Sequence, residues 1–359
     1  GTEDKIIQQH RRKAKKAGTK KGERFVEFLD NYQRYKECGK LLGTYIDKIP
    51  AVKDEKTNAV HTTFNQYGAR TGRFSSSDSV TKVNLQNIPS HEKRIRKIFR
   101  AREGYKLVGG DFSQIEPRVL AYVSGDENMI EAYREGKDLY AIMGSRVYGV
   151  PYDECREFYP DGTVNPEGKE RRTTMKSVLL GIMYERGAAA IGEQFDKSAQ
   201  WAQELIDSFY KSFPKVAQLR LKIEKMAEEY GYVTTICGRK RRLPDMQIPD
   251  RDDYKYQEAH RQSLNSVIQG SSADIMKLAM IAIYNDPQYK DLDCHMVITV
   301  HDELIMEVPV ENVKAGADLL VSVMKRVGHE LIELPMSVDA EVTDYWYGEN
   351  LADDFLEEE

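Results

Sequence analysis

The stretch "VITVHDELIME" (297–307) places two carboxylates and an imidazole between two apolar runs. The runs predict a hairpin at 295–309, in which two antiparallel strands are joined by a turn at His301, Asp302 and Glu303. Such turns are usually built with Asn-Gly or Asp-Gly, and this one contains no glycine. The charged side chains therefore either keep an ordinary turn in water or hold a ligand.

A second strand also ends in an aspartate. In "YKLVGGDFSQIEPR" (105–118), Pro117 requires a helix to begin near 114–116, because proline is accepted in a first helical turn. Taken alone, Asp111 fits the N-cap of that helix. If both strands shared one sheet, however, Asp111 and Asp302 would form an oxygen-rich site suited to Mg²⁺. Two such ions would serve an in-line displacement.

A helix is predicted for "RRTTMKSVLLGIMY" (171–184), where Arg172, Lys176, Leu180 and Tyr184 recur every four residues. This spacing places the four side chains on one slowly drifting face. Cations spaced in this way could grip a triphosphate. A solvated basic face packed by Leu180 and Tyr184 is the alternative.

The rest of the chain is mostly helical in pattern. Residues 71–89 and 159–168 are rich in turn formers, and Pro50 is expected to end the first long helix. The basic residues 1–24 are expected to be flexible or to form one exposed helix face. Further helices are predicted at 23–49, 126–150, 198–231, 254–285 and 311–330, and a last strand at 335–342.

Composition describes an ordinary globular chain of 359 residues, large enough for two or three substructures. No apolar run is long enough for a membrane span, and the polar, basic start does not resemble a signal peptide. The four cysteines are scattered, which argues against a zinc site or a disulfide framework and suits a reducing compartment.

Charge is unevenly distributed along the chain, although the net value is only −5. Residues 1–24 hold nine Lys/Arg, whereas residues 301–359 hold sixteen Asp/Glu. The acidic end fits a solubilising surface, and basic clusters elsewhere could contact phosphates locally. The basic run 239–242 fits either a phosphate contact or surface charge.

Taken together and in order, these segments resemble the family A DNA polymerases, the group that includes bacterial polymerase I and many phage replicases. "DFSQIEPR" (111–118) is similar to the family's motif A, "RRTTMKSVLLGIMY" to motif B and "VHDE" (300–303) to motif C. "TGRFSS", "NLQNIP", "GRKRRLPD" and "NSVIQGSSADIMKLAM" also match in the family's order. The resemblance covers about residues 25–350 and suggests a phage-type polymerase domain.

The resemblance implies an α/β (α+β) right-hand polymerase fold with an antiparallel palm sheet, helical fingers and a reduced or truncated thumb. It implies four parts: a basic segment with a thumb remnant at 1–65, palm at 66–125, fingers at 126–250 and palm again at 251–359.

By the same resemblance, Asp111 and Asp302 would be the ligands of two Mg²⁺ ions, with Mn²⁺ as a substitute. Glu303 would be a supporting carboxylate. Arg172 and Lys176 would bind the phosphates of the incoming nucleotide, and Lys176 would also donate a proton to the leaving pyrophosphate.

Glu116 matches the family's steric gate, which rejects a ribose hydroxyl by collision. A glutamate that begins an exposed helix is the alternative. Tyr184 would border the nascent base pair, and the pocket would also include Gln114, Leu180 and Tyr140. The family usually has Phe or Tyr in place of Leu180, and His in place of Tyr140. It usually has Gly after the tyrosine, where this chain has Glu185.

Arg73, Gln269 and His301 match residues that contact the primer-terminal pair through the minor groove. Acceptors lie there in every correct pair, so donors can check geometry without reading sequence. Arg261 and Asn265 match positions near the template and primer terminus, although polar residues on a helix surface would look the same.

The function implied is template-directed DNA synthesis in replication or repair, with no proofreading exonuclease in this chain. The expected partners are primer–template DNA and dNTPs, without a membrane. The chain would act as a monomer, or with other domains or replication factors of a longer protein, in the cytoplasm of a bacterial cell or a phage-infected host.

Two alternatives stay open. The first is a single-subunit RNA polymerase-like enzyme, against which Glu116 and Glu303 argue. The second is a non-catalytic DNA-binding module, against which the pair of Asp111 and Asp302 argues.

Overall fold

The structure, a computed structural model, describes residues 2–77, 83–89, 93–159 and 161–356. The chain forms two compact units. The first comprises Gly1–Phe64 and Ser76–Arg96, and the second comprises Asn65–Ser75 and Lys97–Glu359. Every residue for which the sequence predicts a catalytic, nucleotide-binding or DNA-binding role lies in the second unit.

The first unit is helical. Its helices are α1 (Thr2–Ala17), α2 (Lys20–Leu41), α3 (Lys48–Ala51) and α4 (Lys93–Arg96), with a π-helical turn at Leu42–Ile46 and a 3₁₀ turn at Leu85–Asn87. Thr19 caps α2, because its hydroxyl accepts a hydrogen bond from the Gly22 amide at 3.1 Å. The basic N-terminal segment, predicted to be flexible or helical, forms α1 and the start of α2. Pro50, predicted to end the first long helix, lies instead in the first turn of α3, where proline is tolerated.

The strands are β1 (Phe64–Asn65), β2 (Ser75–Ser76), β3 (Tyr105–Phe112), β4 (Tyr232–Thr234), β5 (Lys240–Arg242), β6 (His295–Val300), β7 (Glu303–Pro309) and β8 (Val338–Thr343). The second unit contains a four-stranded antiparallel sheet in the order β6-β7-β3-β8. β4 and β5 form a separate hairpin. The hairpin predicted at 295–309 and the strand predicted before Asp111 are confirmed, and they are neighbours in one sheet.

The helices of the second unit are α5 (Ile115–Ser124), α6 (Glu127–Arg134), α7 (Leu139–Tyr148), α8 (Pro166–Met183), α9 (Ala188–Gln194), α10 (Ala199–Ser212), α11 (Pro214–Tyr230), α12 (Tyr254–Asn285), α13 (Pro287–Asp291), α14 (Val313–Ile332) and α15 (Ala352–Leu356). Short 3₁₀ turns occur at Tyr152–Cys155, Pro244–Gln247 and Val310–Asn312. Side-chain oxygens of Asp126, Asp138, Asn165 and Ser198 cap α6, α7, α8 and α10.

The helix α14 packs against one face of the sheet, where Val108 and Phe112 are buried. Gly110 lies on this face, and a Cβ there would stand 3.1 Å from both Leu320 Cδ2 and Met324 Sδ. The missing side chain therefore lets α14 approach the central strand closely. Alternation along β3 places Asp111 on the opposite face.

Other helix predictions also need correction. The stretch 126–150 is divided into α6 and α7, which residues 135–138 separate. The stretch 198–231 is divided into α10 and α11, because Pro214 cannot continue the hydrogen bonding of a helix and instead begins a new one. The helix predicted from Arg171 begins at Pro166, with Asn165 as its cap. Part of the turn-rich stretch 159–168 thus belongs to α8.

In the described part of the chain, no helix combines the length and the apolar character that crossing a membrane requires. The finer division into palm, fingers and thumb stays a prediction.

Candidate active site

The centre of the site is the end of β3, where strand register collects carboxylates. Asp111 pairs with Glu303 of β7 on one side and with Asp339 of β8 on the other. The Phe112 amide donates a hydrogen bond to the carbonyl oxygen of Asp302 at 3.2 Å. Residues nearly two hundred positions apart are therefore neighbours. Asp339 was not recognised from the sequence.

The carboxylates repel one another. Burial and the negative charges nearby raise the pKa of Asp111 to about 7. The charges belong to Asp302, Glu303, Asp339 and Glu341. Burial is the larger of these two causes, although Asp111 keeps contact with water. Burial also raises the pKa of Asp302, against a backbone hydrogen bond and the positive charge of Arg73.

The turn that carries Asp302 is tight despite its lack of glycine. Val300 pairs with Glu303, which leaves His301 and Asp302 as the two loop residues. His301 takes a φ of 56°, in the left-handed region that histidine enters more readily than most residues. The turn can therefore form without glycine, because His301 occupies the position that glycine or asparagine usually takes.

On α8, Arg172 is already paired with acidic residues. Its Nε lies 2.8 Å from Asp138 Oδ2, and a second nitrogen lies 3.6 Å from Glu157 Oε2. Its guanidinium also lies 5.5 Å from the centre of the Tyr140 ring. Burial raises the pKa of Tyr140, so this residue stays neutral. Asp138 and Glu157 were not identified from the sequence.

Lys176 lies one helical turn further along α8, and its side chain is exposed. Within the described residues, no hydrogen bond or ion pair occupies its ammonium group. Leu180, on the same face, is half-buried against the core. The predicted basic face is thus formed, with one cation engaged and one available.

Glu116 joins α8 to the segment 65–75. It is only 7% exposed, so the exposed helix-start interpretation is wrong. Tyr184 donates a hydrogen bond from its hydroxyl to Glu116 Oε2 at 2.9 Å, and Arg73 forms an ion pair with Glu116 Oε1. Burial raises the pKa of Glu116, and Arg73 and Tyr184 oppose the rise.

Gln269 of α12 completes this cluster. Burial and Glu116 raise the pKa of Tyr184, whereas a hydrogen bond with Gln269 lowers it. Arg261 and Asn265 precede Gln269 at four-residue spacing on α12, with Arg261 exposed and Asn265 half-buried. Among the described residues, no hydrogen bond or ion pair joins Arg261 or Asn265 to the carboxylates.

Gln114 caps α5 in a left-handed conformation, with φ 56°. Its side chain accepts a hydrogen bond from the Tyr133 hydroxyl at 3.3 Å. Arg118, which sequence reasoning missed, supports this loop. Its guanidinium stacks 4.3 Å from the centre of the Tyr133 ring, and its Nε donates to the Ser113 carbonyl oxygen at 3.0 Å.

Arg239 is an internal anchor, so neither interpretation of its basic run describes it. Its Nε lies 2.9 Å from Asp274 Oδ1, and one terminal nitrogen donates to the carbonyl oxygens of Thr71 and Gly270 at 3.0 and 2.9 Å. A Cβ at Gly72 would collide with this guanidinium. The segment that carries Arg73 is thus tied to α12.

Comparison with known proteins identifies the family. DNA polymerase family A matches residues 4–348. This chain belongs to DNA polymerase family A. The thermostable DNA polymerase I of Thermus aquaticus is 38% identical over 324 residues, which is 89% of this chain and 36% of that protein. The DNA polymerase I of Chloroflexus aurantiacus is 36% identical over 315 residues, 87% of this chain and 31% of that protein. The chain thus spans about a third of the length of these relatives.

A solved structure of the family is also similar. It is the POL domain of Pol1 from M. smegmatis in complex with DNA primer-template and dNTP, with a TM-score of 0.78 and 32% identity. The match covers 89% of this chain and 53% of that one. The family resemblance and the polymerase fold class predicted from the sequence are thereby confirmed.

Proposed function

We propose that this chain catalyses template-directed DNA synthesis, in which a primer 3′-oxygen attacks the α-phosphorus of a dNTP and pyrophosphate leaves. One observation carries the proposal. Asp111 and Asp302 meet at the end of the central strand, and Arg73, Glu116 and Tyr184 link that place to the end of α8. This arrangement supports a nucleotidyl-transfer site in which the carboxylates and the end of α8 act together.

Family A polymerases use divalent metal ions, and the carboxylates fit such ions. No group of three or more His, Cys, Asp or Glu side chains in the described chain is arranged to hold a metal by itself. Mg²⁺ does not require one, because it commonly takes one or two carboxylates together with waters and substrate phosphates. Asp111 and Asp302 would hold it. The carboxylates that surround Asp111 supply negative charge that a cation would balance. Bound there, two such ions would activate the attacking oxygen and stabilise the leaving one.

The basic face of α8 would bind the triphosphate. Lys176 has an exposed ammonium group, so it can neutralise phosphate oxygens and donate a proton to the leaving pyrophosphate. Arg172 would share its guanidinium between Asp138 and the phosphates. Tyr140 carries no charge, so these two cations would provide most of the grip.

Glu116 would select the sugar. Its carboxylate is held from two sides, by Arg73 and by Tyr184, and a rigid side chain rejects a ribose hydroxyl better than a mobile one. Arg73, Gln269 and His301 would supply hydrogen-bond donors to the minor groove of the primer-terminal pair. Arg261 and Asn265 would lie along the DNA on α12.

The partners proposed are therefore primer–template DNA and dNTPs, which accompany the M. smegmatis domain. The bacterial origin of the relatives supports a place in the bacterial cytoplasm.

Primer extension tests the proposal. The chain is given a primed template, Mg²⁺ and either dNTPs or NTPs, beside Asp302→Asn. We expect extension with dNTPs by the parent and a loss of at least about a hundredfold in the variant, since removal of a transition-state charge partner costs about that much. If the parent extends no primer, the chain is not a polymerase. If it prefers NTPs, it is not a DNA polymerase. Extension by Asp302→Asn at the parent rate would exclude the metal site.

The gate has its own variant. Glu116→Ala should admit ribonucleotides, because the collision with the 2′-hydroxyl is removed. Asp318→Asn, which changes an exposed carboxylate on α14, serves as the matched control and should leave sugar selectivity unchanged. Unchanged selectivity in Glu116→Ala would remove the gate assignment.

A further inference from the structure

The residue after Tyr184 adopts a conformation that suits glycine, although it is a glutamate. Glu185 has a φ of 48°, just past the end of α8. Its amide donates to the carbonyl oxygen of Ile182 at 3.1 Å, and the Arg186 amide donates to that of Gly181 at 2.7 Å. Helices often end in this way with a glycine, because a side chain is strained in the left-handed region. Something must hold Glu185 there.

The side chain of Glu185 supplies the restraint. It is 10% exposed, and its Oε1 lies 2.9 Å from the Nε of Arg220 on α11. Although burial opposes it, the pKa of Arg220 is raised by Glu185 and by Tyr210 of α10. An ion pair with a shielded carboxylate thus ties the end of α8 to α11. Breaking such a pair by removing one partner leaves the other charge poorly compensated.

The tie acts on a residue of the site. Tyr184 directly precedes Glu185, and its hydroxyl is one of the two groups that hold Glu116. The place that the ring reaches follows from the backbone at 184 and 185. A chain of contacts therefore runs from Arg220 through Glu185 and Tyr184 to Glu116.

We propose that Glu185 is a positioning residue, which with Arg220 fixes the end of α8 so that Tyr184 holds Glu116 in place and thereby sets sugar selectivity. The inference rests on the proposed function, because selectivity between dNTPs and NTPs is a property of the polymerase reaction. Neither Glu185 nor Arg220 contacts the nucleotide in this scheme.

Steady-state selectivity is the first test. The ratio of kcat/KM for a dNTP to that for the matching NTP is measured in the parent, Glu185→Gly and Arg220→Met. We expect the ratio to fall roughly threefold to tenfold in both variants, the range that one hydrogen bond typically supplies. Glu185→Gln keeps a hydrogen-bonding group next to Arg220, and it should recover part of the selectivity.

A second comparison separates positioning from a general structural role. Tyr184→Phe removes the hydroxyl, so it should lower the ratio as well, and Glu185→Gly added to it should lower the ratio no further. Glu185→Gly relieves the backbone strain, whereas Glu185→Ala does not. The unfolding temperature of the glycine variant should therefore be closer to that of the parent than the unfolding temperature of the alanine variant is. Arg102→Met is the matched control. Arg102 lies just before β3, and its Nε is 2.8 Å from Glu307 Oε2, so the substitution also breaks an ion pair between Arg Nε and Glu. Its ratio should equal that of the parent.

Three results of the selectivity measurements would overturn the proposal. They are a parental ratio in both Glu185→Gly and Arg220→Met, additive losses with Tyr184→Phe, or an equal loss in Arg102→Met. Hydrogen exchange of the amides at 184–186, without DNA or nucleotide, is independent of catalysis. It should quicken in Arg220→Met and not in Arg102→Met, and an unchanged rate would refute the positioning role even if the parent proved inactive.

Discussion

At the scale of a single residue, Asp111 shows that the site keeps several like charges close together. Its carboxylate lies between Glu303 and Asp339 in the strand register, so no basic side chain is paired with it along the sheet. An arrangement of like charges costs stability in the absence of a counterion, and such costs are typical of sites built for a charged ligand. The candidate metal site should therefore be a weak point of the metal-free fold.

Asp111→Asn should stabilise the metal-free protein, which is measured in the presence of a chelator. The pKa of Asp111 is about 7 in the folded chain and near the ordinary value of about 4 when unfolded, so the parent loses stability as pH rises towards and through 7. The variant lacks this loss. Since the carboxylate is open to water, we expect a gain of only about 1 kcal/mol at pH 8, and less at pH 5.

Thermal unfolding at both pH values measures this difference. Primer extension by Asp111→Asn should be lost although the protein is more stable. Asp318→Asn is again the control and should change neither quantity. A variant that melts below the parent at pH 8 would contradict the repulsion.

Adjacent glycines on β3 provide a test at the scale of the element. A Cβ at Gly110 would crowd Leu320 and Met324 of α14, whereas a Cβ at Gly109 would meet nothing closer than 3.9 Å. Gly110→Ala should therefore cost about 1–3 kcal/mol, the usual cost of overpacking. Gly109→Ala, in the same strand, should cost clearly less. Chemical denaturation of both variants decides, and equal effects would show that α14 yields to the added carbon.

The hairpin β4–β5 provides another test at this scale through Arg239. Arg239→Met removes the ion pair with Asp274 and the bonds to Thr71 and Gly270. We expect a loss of about 2 kcal/mol, below the value for a fully buried pair because Arg239 is partly exposed. The exposed Arg242 of β5, three residues after Arg239, is the matched control, and Arg242→Met should stay within about 0.5 kcal/mol of the parent.

A second substitution identifies the cause of that loss. Asp274→Leu in the Arg239→Met background should restore part of the stability, because it removes the carboxylate left without its cation. If the double variant is no more stable than Arg239→Met, the ion pair is not the main contribution of Arg239.

At the scale of the whole molecule, charge distribution matters more than net charge. The chain is acidic overall, so the proposed binding of DNA would depend on local basic surfaces. The helix α1 carries exposed Lys13, Lys15 and Lys16. α14 carries Lys314, Lys325 and Arg326 on a helix that packs on the sheet face away from Asp111.

We expect the basic residues of α1, and not those of α14, to set the salt dependence of binding to a primer–template. Replacing the three lysines of α1 by glutamine should make the slope of log K against log[salt] shallower by about 2–3, because each phosphate that a cation no longer neutralises removes close to one unit. The same replacement of the three α14 residues should leave the slope unchanged. Equal slopes in all three proteins would show that α1 does not bind the phosphates.

Much of the fold was predictable because its signals are local. The apolar runs around His301 predict the hairpin, and proline at 117 places the start of α5 correctly. Helix ends were less predictable. Pro214 divides one predicted helix, and Asn165 with Pro166 moves the start of α8, because one capping or breaking residue outweighs a long apolar pattern.

The sequence by itself determined the family and the elements, since ordered motifs and local periodicity are properties of neighbouring residues. Only the tertiary structure decided which charges meet. It placed Asp339 and Glu341 beside Asp111, paired Arg172 with Asp138, and turned Arg239 into an anchor. These partners lie between 34 and more than two hundred residues apart, as for Arg172 and Asp138 at 34. Their meeting depends on strand register and helix packing, which no local pattern encodes.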